Sequence, residues 1–289
     1  MASAKRARSS SASVVTFGEV MLRLATERRE RFVQAHSFEA TYGGGECNVA
    51  VSLQNFGIDS SFVTAVPEHE IGQACINYIR QFGVDTSHII RSGPRLGLYY
   101  LESGASMRPS KVVYDRAGSS VSLLKVGQVD WAAAFQGKSW FHWTGITPAL
   151  GDDVAAVVEE ACVAAKKAGC TISCDFNYRG KLWSSQKAQS VMKPLMKYVD
   201  VAIGNEEDAE KCLGYSSGQD VDAGKLDPAA FKPVLTSLAR DFGFKQVQLT
   251  PRARARASAS TAPPPARALH SQRACRLSVA GCHHAAREP

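Results

Sequence analysis

Acidic residues are nearly absent from both ends of this chain. Residues 1–13 hold Lys5, Arg6 and Arg8 with no acid, and residues 251–289 hold seven Arg against the single Glu288. The net charge of +7 therefore resides in the two ends, and the stretch 14–250 is slightly acidic. A basic surface of the kind that grips nucleic acid has no source in that stretch, so no nucleic-acid partner is expected. No apolar run of about 18 residues occurs, so no membrane span and no membrane partner are expected. The eight Cys lack the paired spacing of zinc sites or redox C-x-x-C motifs. They read as small buried hydrophobes in a reducing, cytoplasmic setting. The Ser-rich start, MASAKRARSSSAS, reads as a short disordered basic tail over 1–13, with an organellar transit peptide as the alternative.

What is present is a core-forming α/β pattern. Apolar residues make up 45% of the chain, enough for one large domain or two small ones. Val14–Phe17 reads as a buried strand stopped by Gly18. Glu46–Phe56 has helical spacing and stops at Gly57, and Glu70–Phe82 does the same before Gly83. Gly97–Glu102 and Lys111–Arg116 are β-rich runs around a loop with Gly104 and Pro109, predicting a hairpin over about 97–117. Further strands are expected at Ser61–Ala65, Ser139–His142, Thr171–Asp175, Asp200–Ile203 and Lys245–Leu249. Helical patterns alternate with them at Asp152–Ala168, Ser184–Lys197, Glu206–Leu213 and Pro228–Phe242. Such alternation predicts an α/β fold with a parallel sheet covered on both faces, and the hairpin outside that rhythm is a candidate lid. Ligands of open α/β sheets bind beyond the strand carboxyl ends, which points to Gly18–Glu19, Thr144–Gly145, Asp175–Arg179 and Gly204–Asn205.

After Thr250 the pattern stops. Residues 251–289 are rich in Arg, Ala, Pro and Ser and have no helix or strand stripe. They are expected to be disordered, either as a non-native reading frame or as a basic tail. Cys275, Cys282, His283 and His284 have no packed scaffold and are not read as a metal site.

The most informative stretch is Tyr42-Gly43-Gly44-Gly45-Glu46-Cys47-Asn48-Val49-Ala50. Glycines let a ligand approach the backbone, and the helix start offers free N–H groups to oxygen-rich ligands. Asn48, in the first turn, can grip hydroxyls. No Gly-Lys-Ser/Thr follows, so this is no Walker phosphate loop. The bland reading, a tight turn before a helix, accounts for the glycines equally well.

The run GGGECNVAVSLQNFG resembles the N-terminal signature of PfkB-type (ribokinase-like) carbohydrate kinases. Pro67 stands where that signature usually has another Gly. The opening GEVMLRL, the hairpin GLYYLESGASMRPSKVVYDRAGS, the DFNYR run at 175–179 and Asn205-Glu206-Glu207-Asp208 are most similar to 2-keto-3-deoxygluconate kinases. The resemblance covers 14–250. It implies a ribokinase-like three-layer αβα fold with a small β lid, incomplete on its C-terminal side. It also implies ATP and magnesium as cofactors, a small-molecule sugar acid as substrate, and a homodimer formed through the lid.

Arginine offers a two-pronged fork to a carboxylate. The resemblance implies that Arg116 and Arg179 contact the keto-acid end, that Tyr99 and Tyr114 supply hydroxyls, and that Gly43, Gly44 and Asn48 hold the sugar. Tyr100 points to the opposite face and is read as packing. Asn177, Asn205 and Asp208 would orient magnesium-bound water, with Asp208 one methylene shorter than the family's usual Glu. Asn205 and Asp208 also suit a plain helix N-terminus. His142 is read as a core histidine rather than a ligand. The family's catalytic base is the Asp of a Gly-Ala-Gly-Asp run, whose backbone N–H groups form an anion hole. This sequence contains no such run, and its last Asp is Asp241. The expected activity is phosphorylation of a sugar acid, weakened here by that loss. A PfkB kinase for a neutral sugar or nucleoside, or a non-catalytic sugar binder, are the alternatives.

Overall fold

The computed structural model describes residues 12–216, 218 and 231–250, and the backbone of 277–280. The outer parts of the expected tails, and the first residues of the helix expected from Pro228, lie outside the described residues. The chain divides into two compact units at Ile172.

The first unit contains strands β1 (Ser13–Phe17), β2 (Met21–Thr26), β3 (Phe38–Gly43), β4 (Asp59–Val63), β5 (Ala65–Val66), β6 (Ile90–Arg91), β7 (Gly97–Glu102), β8 (Lys111–Asp115) and β9 (Trp140–Thr144). Its helices are α1 (Gly45–Asn55), α2 (Glu70–Arg80), α3 (Trp131–Ala134) and α4 (Asp152–Lys167). β1 pairs in parallel with β4 on one side and β9 on the other. One face of these strands buries Phe17 and Phe141 against Trp131 and Phe135, with ring centroids 5.2–6.2 Å apart. Burying each such ring contributes about 2–3 kcal/mol. Helix α1 packs against β1 and β4. It ends as expected at Gly57, whose φ of 76° lets the Gly57 and Ile58 N–H groups turn back onto the carbonyls of Gln54 and Leu53.

The expected hairpin is β7–β8, but it does not stand alone. It joins β2 and β3 in a four-stranded sheet of order β3-β2-β7-β8. Tyr100 packs edge-on against Phe38, on the face away from Tyr99, as expected.

The second unit begins within β10 (Thr171–Asp175) and continues through α5 (Ser185–Leu195), β11 (Val201–Gly204), α6 (Glu206–Asp208), α7 (Phe231–Phe242), β12 (Gln246–Leu249) and β13 (Leu277–Ala280). β10, β11 and β12 run parallel. Helix α6 passes directly into a π-turn at Ala209–Leu213 closed by Gly214 at φ 80°. The expectation that 251–289 holds no strand needs correction at four positions: Leu277–Ala280 pair antiparallel with β12. Without that partner β12 would be an edge strand, and the backbone donors and acceptors of such an edge can pair with any extended segment, whatever its composition.

The alternation of strand and helix expected from the sequence is thus realised in both units. Six cysteines, Cys47, Cys75, Cys162, Cys170, Cys174 and Cys212, are free and buried, as their reading as small hydrophobes required. Burial pushes the Cys47 thiol up to about 12, which leaves it unreactive. Among the described residues no helix is long and apolar enough to cross a membrane.

Candidate functional site

The glycine run builds the site in the first unit. Gly44 is the N-cap of α1, and its backbone lies so close to β1–β2 that a Cβ there would sit 1.9 Å from the Glu19 carbonyl oxygen. Gly43 is different. A Cβ at Gly43 would meet only Tyr99 Oη at 3.4 Å and Asn48 Oδ1 at 3.7 Å. Two hydrogen-bonding groups named from the sequence therefore converge over a bare stretch of backbone, as a hydroxyl-rich ligand requires. Asn48 is exposed and also lines a groove of about 240 Å³ with Tyr42, Cys47 and Tyr78.

The four-stranded sheet extends this surface. Its register aligns Thr41, Arg23, Tyr99 and Tyr114 in one row across β3, β2, β7 and β8. In-register side chains share a face, so this row lies on the same side as Gly43. The Tyr99 and Tyr114 rings are 6.0 Å apart. Burial raises the Tyr99 hydroxyl above its usual range, and the charge of Arg23 pulls it back.

Arg116 is half-buried just beyond β8, and its guanidinium lies 5.9 Å from the Tyr114 ring. Its Nε and Nη2 both donate to Glu19 Oε2, from Nε at 2.8 Å, and Ser119 Oγ donates to Glu19 Oε1 at 2.7 Å. Glu19 is only 3% exposed. Gly97 makes room for this pair, since a Cβ there would stand 2.6 Å from Glu19 Oε1. The guanidinium expected to meet a ligand is thus committed on one edge to a protein carboxylate. Of its three guanidinium nitrogens, only Nη1 donates no hydrogen bond among the described residues.

A second buried carboxylate stands at the start of α1. Glu46 Oε1 accepts from Thr144 N at 3.2 Å, Thr144 Oγ1 at 2.8 Å and Thr147 Oγ1 at 2.6 Å. Gly18 leaves the space it fills. Burial raises its pKa, partly offset by the hydrogen bonds from Thr147 and Thr144. Glu46 therefore couples the glycine turn to the ends of β1 and β9, two of the strand ends expected to carry a ligand. Nothing in the local sequence marks it, because its partners lie about a hundred residues away.

In the second unit, Asn205 and Asp208 form a reciprocal cap. Asp208 N donates to Asn205 Oδ1 at 2.9 Å and Asn205 N donates to Asp208 Oδ2 at 3.1 Å. The other carboxylate oxygen accepts Tyr178 N at 2.9 Å. That bond anchors the turn after β10, where Asn177 adopts φ 40°, a conformation Asn tolerates better than most residues. Asn177, Asn205 and Asp208 are thus brought together through Tyr178. Magnesium demands several oxygen ligands and keeps several waters. Each Asp208 oxygen already accepts a backbone N–H, so what this cluster can offer the ion is contact through bound water. Arg179 is exposed, and its Nη1 donates to the Tyr178 carbonyl at 3.1 Å. His142 is buried in β9, and burial pushes it down to about 4, so it is neutral at ordinary pH.

The arrangement matches known proteins. Solved structures place it in the ribokinase-like α/β class, with a mostly parallel central sheet and flanking helices. The model of the pfkB family of carbohydrate kinases matches residues 11–239, and the chain belongs to that family. It is 36% identical over 245 residues to 2-dehydro-3-deoxygalactonokinase of Haloferax volcanii, covering 83% of this chain and 71% of that protein. It is 28% identical to 2-dehydro-3-deoxygluconokinase of Thermoproteus tenax, covering 70% of this chain but only 62% of the relative's length. The crystal structure of 2-dehydro-3-deoxygluconokinase from Thermotoga maritima superposes with a TM-score of 0.78 at 47% identity, over 83% of this chain and 72% of that one.

Proposed function

We propose that this chain recognises a 2-keto-3-deoxy sugar acid and derives from a kinase that phosphorylates one. The observation that carries the reading is the convergence of Tyr99 and Asn48 over Gly43, beside a row of cationic and phenolic side chains on the lid sheet. Gly43, Gly44 and Asn48 would hold hydroxyls, with Tyr99 and Tyr114 above them. Arg116, through its remaining edge, would face the acid. The similarity to kinases named for such sugar acids supports the same substrate class.

ATP, when bound, supplies the phosphoryl group that the sugar hydroxyl accepts. Asn177, Asn205 and Asp208 would order water around the accompanying magnesium. The step also needs a base for the attacking hydroxyl and donors for the transition-state charge. Because the sequence holds no Gly-Ala-Gly-Asp run, this polypeptide is expected to bind the acid and turn it over poorly. The outer lid face, with Phe38 and Val113 partly exposed, would pair with a second copy. A cytoplasmic location fits the free, buried cysteines.

A neutral sugar is the second reading, favoured by one observation: Arg116 is already paired with Glu19. Incubation of the purified chain with ATP, magnesium and 2-keto-3-deoxygluconate tests the main reading. Binding with turnover near background is expected. Turnover at an ordinary kinase rate, on the order of 1–100 per second, would refute the loss of catalysis.

A further inference from the structure

Three carboxylates are buried among the described residues of the first unit: Glu19, Glu46 and Glu102. Arg116 pairs with Glu19 and Arg108 with Glu102. Glu46 has no Lys or Arg partner among the described residues and is held by hydrogen bonds alone. A buried carboxyl without a cation costs stability that an apolar residue in the same place would not. What it supplies is a fixed point, because its Oε1 gathers three donors from the turn that follows β9.

That turn is itself held in place. Ile146 N donates to Thr144 Oγ1 at 3.2 Å, Thr147 N donates to the Thr144 carbonyl at 3.1 Å, and both threonines are buried. Thr144 Oγ1 therefore accepts from Ile146 and donates to Glu46, which settles its direction.

The other end of the connection is the sugar-facing turn. Glu46 lies in the first turn of α1, between the N-cap Gly44 and Asn48, whose N–H donates to the Gly44 carbonyl at 2.8 Å. Residues two apart on a helix point about 200° away from each other. Anchoring Glu46 inward thus aims Asn48 outward, where it is exposed and its Oδ1 lies 3.7 Å from the place of a Gly43 Cβ. The carboxyl fills the space that Gly18 leaves bare, so a rotation of the helix start would press it against the backbone that follows β1.

We propose that Glu46 is a positioning residue for the sugar: by holding Thr144 and Thr147 it fixes the first turn of α1, and with it the Gly43–Gly44 backbone and Asn48 that grip the hydroxyls. It touches no ligand itself and acts through these groups. The proposal deepens the sugar-binding reading above and rests on it. Because it concerns the hydroxyl grip, it applies to an acid and a neutral sugar alike.

The test is calorimetric titration of the full chain with 2-keto-3-deoxygluconate and, separately, with fructose, well below each variant's unfolding midpoint. Wild type, E46A, E46Q and T147V are compared, and V157A, which thins the core beneath α4, is the control for destabilisation alone. E46A is expected to weaken both sugars in parallel, about fivefold or more, and T147V about threefold. E46Q keeps an acceptor in the same place and stays within about twofold, as does V157A. Folded E46A that binds as tightly as wild type overturns the proposal, and T147V decides the point where E46A does not fold. A loss in E46Q or V157A equal to that in E46A overturns it too, since charge or general destabilisation would then be the cause. If wild type binds fructose and not the acid, the sugar-acid reading fails while the fructose titrations still judge Glu46. If wild type binds neither sugar, the site is misassigned and the proposal falls with it.

Discussion

Arg116 and Glu19 lie 97 residues apart in sequence, yet the arginine clasps one oxygen of a carboxylate that is almost wholly buried. The pair ties the end of β8 to the turn between β1 and β2, so the lid sheet is anchored by charge as well as by its strand ladder. Removing one partner of a buried ion pair leaves the other unpaired. R116M is therefore expected to lower unfolding free energy by about 3 kcal/mol, and E19M/R116M to recover much of that loss. Urea unfolding of R116M, E19M and the double variant checks it. Equal destabilisation by R116M and the double variant would contradict the pairing.

Gly43 and Gly44 are adjacent but carry different burdens. G44A drives a Cβ into the Glu19 carbonyl and should destabilise the chain by about 3 kcal/mol or more. G43A places its methyl at ordinary contact distance from Tyr99 and Asn48, so the fold should persist while the space for a hydroxyl disappears. Thermal unfolding with sugar titration separates the two outcomes. A G43A chain that binds sugar normally would remove Gly43 from the site.

His142 gives stability a defined dependence on pH. Burial lowers its pKa from 6.5 to about 4, so the unfolded chain binds a proton in that window and the native chain does not. Stability is full above pH 6.5 and falls as pH drops toward 4, by roughly 3 kcal/mol from this group. H142Q should flatten that part of the profile. Glu46 acts with the opposite sign: its raised pKa favours the native state below about 4.5, and the contribution is lost as pH rises.

The Asn205–Asp208 cap should be worth about 1–2 kcal/mol to each partner's removal by alanine. D208A should cost more than N205A, because it also strands the Tyr178 N–H. Guanidinium unfolding of both variants reads the difference directly.

Most of the helix and strand pattern was legible because the elements are bounded by glycines and buried on one face. Thr171–Asp175 and the stop of α1 at Gly57 fall where the sequence places them. β2 and β3 were not legible. Phe38–Gly43 has no fully buried residue, and Met21–Thr26 carries Arg23 at its centre, so neither displays a clean burial stripe. Their identity as strands comes from pairing with each other and with β7. The candidate residues Gly43, Asn48 and Tyr99 were legible from the glycine run and the hairpin. Glu19 and Glu46 were not, because a buried carboxylate is defined by partners distant in sequence.

The most direct measurement is the ratio of two dissociation constants of the unaltered chain, one for 2-keto-3-deoxygluconate and one for fructose. A preference of about tenfold or more for the acid, eroded by added salt as a charge contact should be, is the predicted result. Equal affinities, or a preference for fructose, would contradict the account.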